Sequence, residues 1–142
     1  MLLSADGSAL SFVTQTNGTA MTNLSATINW ATNNWHQVVL AYSSTNSSLY
    51  IDGQPAVTNG IGVDRYPDAT LRANGFYIGS DHAGGNQAAG QFDELETFHF
   101  QMDAASVSAN FNLIDPQHAE TYENRGKITK NDCFAYFRAI SS

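Results

Sequence analysis

The chain holds little charge, one cysteine, three prolines and no long apolar run. Only 13% of its 142 residues are charged, 6 basic and 13 acidic. The formal net charge is -7 and the pI about 4.7. Such a surface repels phosphate backbones, which argues against nucleic acid as a partner. The lone Cys133 excludes an internal disulfide and a cysteine-built zinc cage. No apolar stretch approaches the roughly 20 residues of a membrane helix, so no membrane partner is expected. The opening Met1 to Asp6 has no basic region ahead of an apolar one, and the expectation is a chain without a signal peptide. The compartment stays open on these grounds.

Ser, Thr, Asn and Gly fill the place of charge. They suit short strands joined by hydrogen-bonding turns more than long helices. At this length a single domain with a real core is expected. Ala9 to Thr14 is a short β-prone run, followed by the turn signal Asn17-Gly18. Leu24, Ala26, Ile28 and Trp30 then fall on alternate positions, which puts them on one strand face, with Asn23, Ser25, Thr27 and Asn29 on the other. Trp35 to Tyr42 is apolar on both parities, as in a strand central to its sheet or sealed at a layer boundary.

Residues 43–48 read as a polar turn, after which Leu49 and Ile51 alternate with Tyr50 and Asp52. Asp52-Gly53 is the strongest hairpin signal, because both central positions of a type I′ turn require positive φ. Gln54 to Val57 should return as the partner strand. Pro55 lacks an N–H, so that strand is expected to lie at an edge or to start late. A long connection over residues 58–70 carries Asn59-Gly60 and Tyr66-Pro67 as breakers. Strands are then predicted over 76–79 and 91–100, and Asp103 should cap a short helix running to about Phe111.

Together these elements predict an all-β chain, a two-layer antiparallel β-sandwich with one short C-terminal helix. The domain is expected to span 1–114. The tail, 115–142, differs in character: it holds Arg125, Lys127, Lys130 and Arg138, four of the six basic residues, with Cys133 and the run Phe134-Ala135-Tyr136-Phe137. It reads as a docking or oligomerisation segment.

Trp35-His-Gln-Val-Val-Leu-Ala-Tyr42, Leu49-Tyr-Ile-Asp-Gly53, Phe76-Tyr-Ile-Gly-Ser-Asp81 and Gly90-Gln-Phe-Asp-Glu-Leu95, in this order, resemble laminin-G-like domains of the concanavalin A-like jelly-roll superfamily, bacterial type. The resemblance covers about residues 5–112. It implies a jelly roll from a family usually secreted or displayed at the cell surface. The family's opening strands have no counterpart here, so the resemblance implies an N-terminally truncated domain. A jelly roll short of strands leaves an open sheet edge and an uncovered apolar face. Either the tail refills that gap or two chains pair through it. The expectation is a homo-oligomer, most simply a dimer.

The loop Ser80-Asp-His-Ala-Gly-Gly-Asn-Gln-Ala-Ala-Gly90 is rich in oxygen ligands and glycine. Calcium takes six to eight oxygens, and such loops supply them. By resemblance, a structural calcium would sit near Asp93, with Asp81 as the second ligand. The alternative is that Asp81 caps a turn and Asp93 bonds nearby amides. Glu94 and Glu96 alternate on one strand. Paired carboxylates serve glycosidases, but Phe98 stands where the superfamily's glycosidases carry a third carboxylate, which favours two solvated glutamates. His82 could bind a sugar hydroxyl or a metal, or act as a base. His36 and His99 read as framework.

Asn86 and Gln87 in the loop, and Tyr66 in the long connection, are the other ligand-binding candidates. Trp30, Tyr50 and Tyr66 could each offer a ring face to a sugar, with Tyr66 the best exposed. The leading reading is a non-catalytic binding or adhesion module for carbohydrate or another extracellular ligand, supported by calcium. Its alternatives are a small hydrolase of glycosidic or phosphate-ester bonds using His82, Glu94 and Glu96, and a structural fragment without ligand.

Overall fold

A computed structural model describes residues 1–32, 34–73, 75–81, 83–92, 95–114 and 137–140. Among these residues, seven strands and two helices follow in the order β1 (Leu2–Leu3), β2 (Ala9–Thr16), β3 (Thr19–Thr27), β4 (Trp35–Tyr42), β5 (Asn46–Ile51), β6 (Gln54–Ile61), α1 (Ala69–Ala73), α2 (Ala104–Ile114) and β7 (Phe137–Ile140). They form two antiparallel sheets, ordered β1-β2-β3 and β6-β5-β4-β7. The all-β sandwich is therefore as the sequence predicts. The five-residue α1 is an addition to it.

Two tight turns set the registers. Asn17 and Gly18 have φ of 50° and 79°, and the hairpin closes with Thr16 opposite Thr19. Asp52 and Gly53 have φ of 51° and 74°, and Ile51 faces Gln54. Both pairs carry the positive φ that a two-residue hairpin loop of type I′ requires. Gly53 is needed for a second reason. A Cβ there would lie 2.7 Å from Cβ of Phe111, so α2 seats directly on this turn.

The main core lies between the sheets, where Leu10, Leu24, Ala26 and Ile28 meet Val38 and Leu49. The alternation read for residues 24–30 holds, except that Asn23 is also buried. The reason is a bulge: Phe12 pairs with Leu24 but Val13 pairs with Thr22, so Asn23 is the extra residue. Its amide accepts from the Thr14 hydroxyl at 2.8 Å and donates to the carbonyls of Ile61 at 3.2 Å and Gly62 at 3.3 Å. One side chain thereby ties the two sheets together.

β4 lies inside its sheet between β5 and β7, and it is apolar on both faces for distinct reasons. Val38 belongs to the core between the sheets. Val39 and Ala41 pack with Tyr50 against Met102 and Val107, beneath α2. Asp103 begins that helix as expected: its Oδ1 accepts the Ser106 N–H at 2.7 Å. This bond holds the Asp103 carboxyl below its usual range.

Three expectations need correction. Residues 47 and 48 belong to β5 and are buried, because the Ser47 hydroxyl donates to the Ile61 carbonyl at 2.9 Å and β6 runs on to Ile61. Asn59-Gly60 does not end β6; Asn59 takes φ of 64° within it. The strands predicted over 76–79 and 91–100 are absent among the described residues, which run irregularly with a few bends. The loop between them bonds within itself, as in Ala88 N–H to Gly79 O at 2.8 Å and Asp81 N–H to Gly85 O at 3.0 Å. Part of the β4 edge beyond β5 is also taken: Trp35 to Val38 pair with Ile140 to Phe137.

Candidate functional site

A concavity runs beside β4. A groove of about 460 Å³ is lined by residues 39–42 on one wall and 97–102 on the other, with Tyr66 at its rim. Four consecutive residues of a strand line one groove along its edge, because their side chains alternate between faces. Buried Val39, Ala41 and Met102 form the floor, while Tyr42, Tyr66, His99, Phe100 and Gln101 stand out at the surface. Tyr66 is 63% exposed and Phe100 52%. Phe98 packs against the cluster beneath α2 and edge-on to Phe100, with ring centres 5.2 Å apart. Gln101 is held by its amide, which donates to Asn46 Oδ1 at 3.0 Å.

Of the sequence-nominated residues among those described, Tyr66 alone lines this groove. Asp81 works as a turn cap. Its Oδ1 accepts the N–H groups of Ala83 at 2.9 Å and Gly85 at 2.8 Å, and its Oδ2 accepts the Asn86 amide at 2.9 Å. Gln87 donates its amide to the Gly84 carbonyl at 3.1 Å. The loop thus closes on itself through the residues that were candidates for ligand or metal. His82, Asp93 and Glu94 lie outside the described residues. Glu96 is half-buried.

Among the described residues no three of His, Cys, Asp and Glu come together as metal ligands. A calcium cage draws on many oxygens free to face the ion, and those of Asp81 face N–H donors. The other expected ligand, Asp93, lies outside the described residues.

Two of the sugar-platform candidates prove structural. Tyr50 is buried beneath α2. Trp30 is half-buried and stacks on His36, with ring centres 4.7 Å apart and planes 12° apart. His36 Nδ1 lies 2.8 Å from Asp52 Oδ2. A carboxylate only accepts, so Nδ1 carries the proton. The other oxygen, Oδ1, accepts the Gln37 N–H at 2.9 Å. This arrangement pins the Asp52-Gly53 turn to β4, so His36 is framework, as read. His99 is not: it is exposed and lines the groove. The sequence signal was present in Phe98-His99-Phe100, an aromatic run, but its predicted strand pairing pointed it elsewhere.

A chain of two antiparallel sheets with a helix seated on one of them is a β-sandwich domain. The family model of the laminin G type, described as the Concanavalin A-like lectin/glucanases superfamily, matches residues 1–108, and the chain belongs to that family. No curated protein matches it. Among solved structures, a 2.1 Å crystal structure of an S-layer domain-containing protein (residues 221–444) from Clostridium thermocellum ATCC 27405 is similar at 18% identity and a TM-score of 0.47. The match covers 72% of this chain and 51% of that one, so the chain spans about half of its length.

Proposed function

We propose that this domain is a non-catalytic binding module that takes carbohydrate at the aromatic rim of the groove beside β4. The observation that carries this reading is the position of Tyr66. Its exposed ring stands with Phe100, His99 and Gln101 around one concavity of about 460 Å³. That volume lies in the usual range for small-ligand sites. An aromatic face offers an apolar platform to a sugar ring, and the adjacent amide and imidazole groups can bond its hydroxyls. Family membership in a lectin and glucanase superfamily supports the ligand class by analogy alone.

The test is a melting-temperature panel across a set of glycans, run on the native protein and on Tyr66→Ala. A ligand that binds the folded state raises its melting temperature by mass action. Native protein should gain stability with at least one glycan. Tyr66→Ala should weaken that binding about 2- to 12-fold, the equivalent of about 0.5–1.5 kcal/mol for one aromatic contact. No shift with any glycan, or equal shifts for both proteins, counts against the proposal.

A further inference from the structure

The floor and the rim of the groove beside β4 ask different things of a sugar. Val39, Ala41 and Met102 are buried apolar residues, and Phe98 packs against the same cluster. A hydroxyl pressed onto such a floor loses its water partners and gains none. A plain hexose has hydroxyls around its ring and no apolar arm that reaches down. Beside Met102, the rim residue Gln101 is fixed in orientation by a hydrogen-bond relay. The Ser43 hydroxyl accepts the N–H groups of Thr45 and Asn46 at 3.2 Å each, and it donates to Asn46 Oδ1 at 2.9 Å. Asn46 Oδ1 is thereby an acceptor, and it also takes the Gln101 amide N–H at 3.0 Å. An amide that gives its NH2 to Asn46 turns its oxygen elsewhere. Gln101 Oε1 takes no bond within the chain among the described residues. A preset acceptor therefore stands next to an apolar floor.

We infer, given the carbohydrate reading on which this rests, that the ligand is an N-acetylated sugar. Its acetamido N–H bonds Gln101 Oε1, and its methyl group lies against the floor of Val39, Ala41 and Met102. An acetamido group carries a donor and a methyl group on one short planar arm. A hydroxyl has no methyl group for the floor, and a deoxy carbon has no donor for Gln101, so neither answers both features. Gln101 is thus the specificity-determining residue, and Asn46 holds it in the orientation that recognition needs. Tyr66 keeps its role as the platform for the ring itself, at the other side of the rim.

The test measures Kd by NMR titration of the full chain with two matched pairs of sugars. One pair is the N-acetylglucosamine trimer against the glucose trimer of the same linkage; the other is N-acetylgalactosamine against galactose. In at least one pair the N-acetylated member should bind about 10- to 50-fold tighter, the combined worth of one buried methyl group and one hydrogen bond. Gln101→Ala, at an exposed position, should fold. It should reduce that preference to about fourfold, the share left to the methyl group. A merely structural role for Gln101 would weaken both members of a pair alike and leave their ratio unchanged, which would overturn the inference. Equal affinities within both pairs, or tighter binding of the plain sugars, would also overturn it and leave the carbohydrate reading standing. So would tighter binding of fucose, a deoxy sugar, than of either N-acetylated sugar. Binding of no sugar at all would overturn the carbohydrate reading and this inference with it.

Discussion

Residues 1–63 and residues 64–101 are built by different rules. In the first region each strand finds its partner through a turn next door. Asn17-Gly18 joins β2 to β3, and Asp52-Gly53 joins β5 to β6. In the second region the described backbone bonds to itself over a few residues, as between Gly79 and Ala88. Its aromatic residues stay near the surface: Phe76 is 71% exposed and Tyr77 60%. The comparison separates scaffold from site. The first region supplies buried Val39 and Ala41 of the floor; the second supplies most of the exposed rim, at Tyr66, His99, Phe100 and Gln101. Loops positioned by a rigid scaffold are where binding residues tend to sit.

The comparison predicts unequal responses to mutation. Leu49 is fully buried in the core between the sheets. Leu49→Ala should therefore destabilise the fold by about 2–5 kcal/mol, read by urea titration. A loss under 1 kcal/mol would mean that the sheets do not pack as described. Asn23→Ala comes next. It leaves the Thr14 hydroxyl and the carbonyls of Ile61 and Gly62 without their shared amide. The expected loss is about 1–3 kcal/mol. Substitutions at the rim should scarcely register in the same titration. Tyr66→Ala should change stability by less than about 0.5 kcal/mol, because its ring lies mostly in solvent. A larger loss would make Tyr66 part of the scaffold.

The smallest effect sits at the opening turn. Asp6 accepts bonds from the Ser4 hydroxyl at 2.6 Å, the Ser8 hydroxyl at 2.8 Å and the Ser8 N–H at 3.1 Å. These bonds, that of Ser4 foremost, lower its pKa from 3.8 to about 2. A folded pKa below the unfolded one means that the native state binds the proton less readily. The stabilisation is present above pH 3.8 and is lost as pH falls through about 2. Asp6→Asn should lower stability slightly in the neutral region and flatten the acid limb over that window, so that the two proteins converge below about pH 2. An unchanged acid limb would show that the turn is not held this way.

The sequence was legible where structure is local. Alternation at Leu24, Ala26 and Ile28, the Asp52-Gly53 turn, the edge position of Pro55 and the cap at Asp103 all follow from neighbours within a few residues. It was illegible where two segments compete for one partner. Residues 91–100 carry a strand-like pattern, but whether they pair depends on what else reaches the β4 edge, and β7 lies about forty residues further along the chain. Burial of Asn23 was likewise hidden, because a bulge has no period to read. For the site, Tyr66 was visible as an exposed aromatic beside a proline. His99, Phe100 and Gln101 were not, since their place at the rim arises from the irregular course of residues 97–102. The polar loop drew attention by its composition, yet Asp81, Asn86 and Gln87 bond within it.

The claim that the rim binds and the polar loop does not is best tested by an amide-resolved NMR titration with a glycan from the melting panel. The expected shifts gather at Tyr42, Tyr66 and residues 97–102, and the amides of Ala83, Gly85, Asn86 and Gln87 stay in place. Shifts centred on residues 83–87, with the groove silent, would contradict the account.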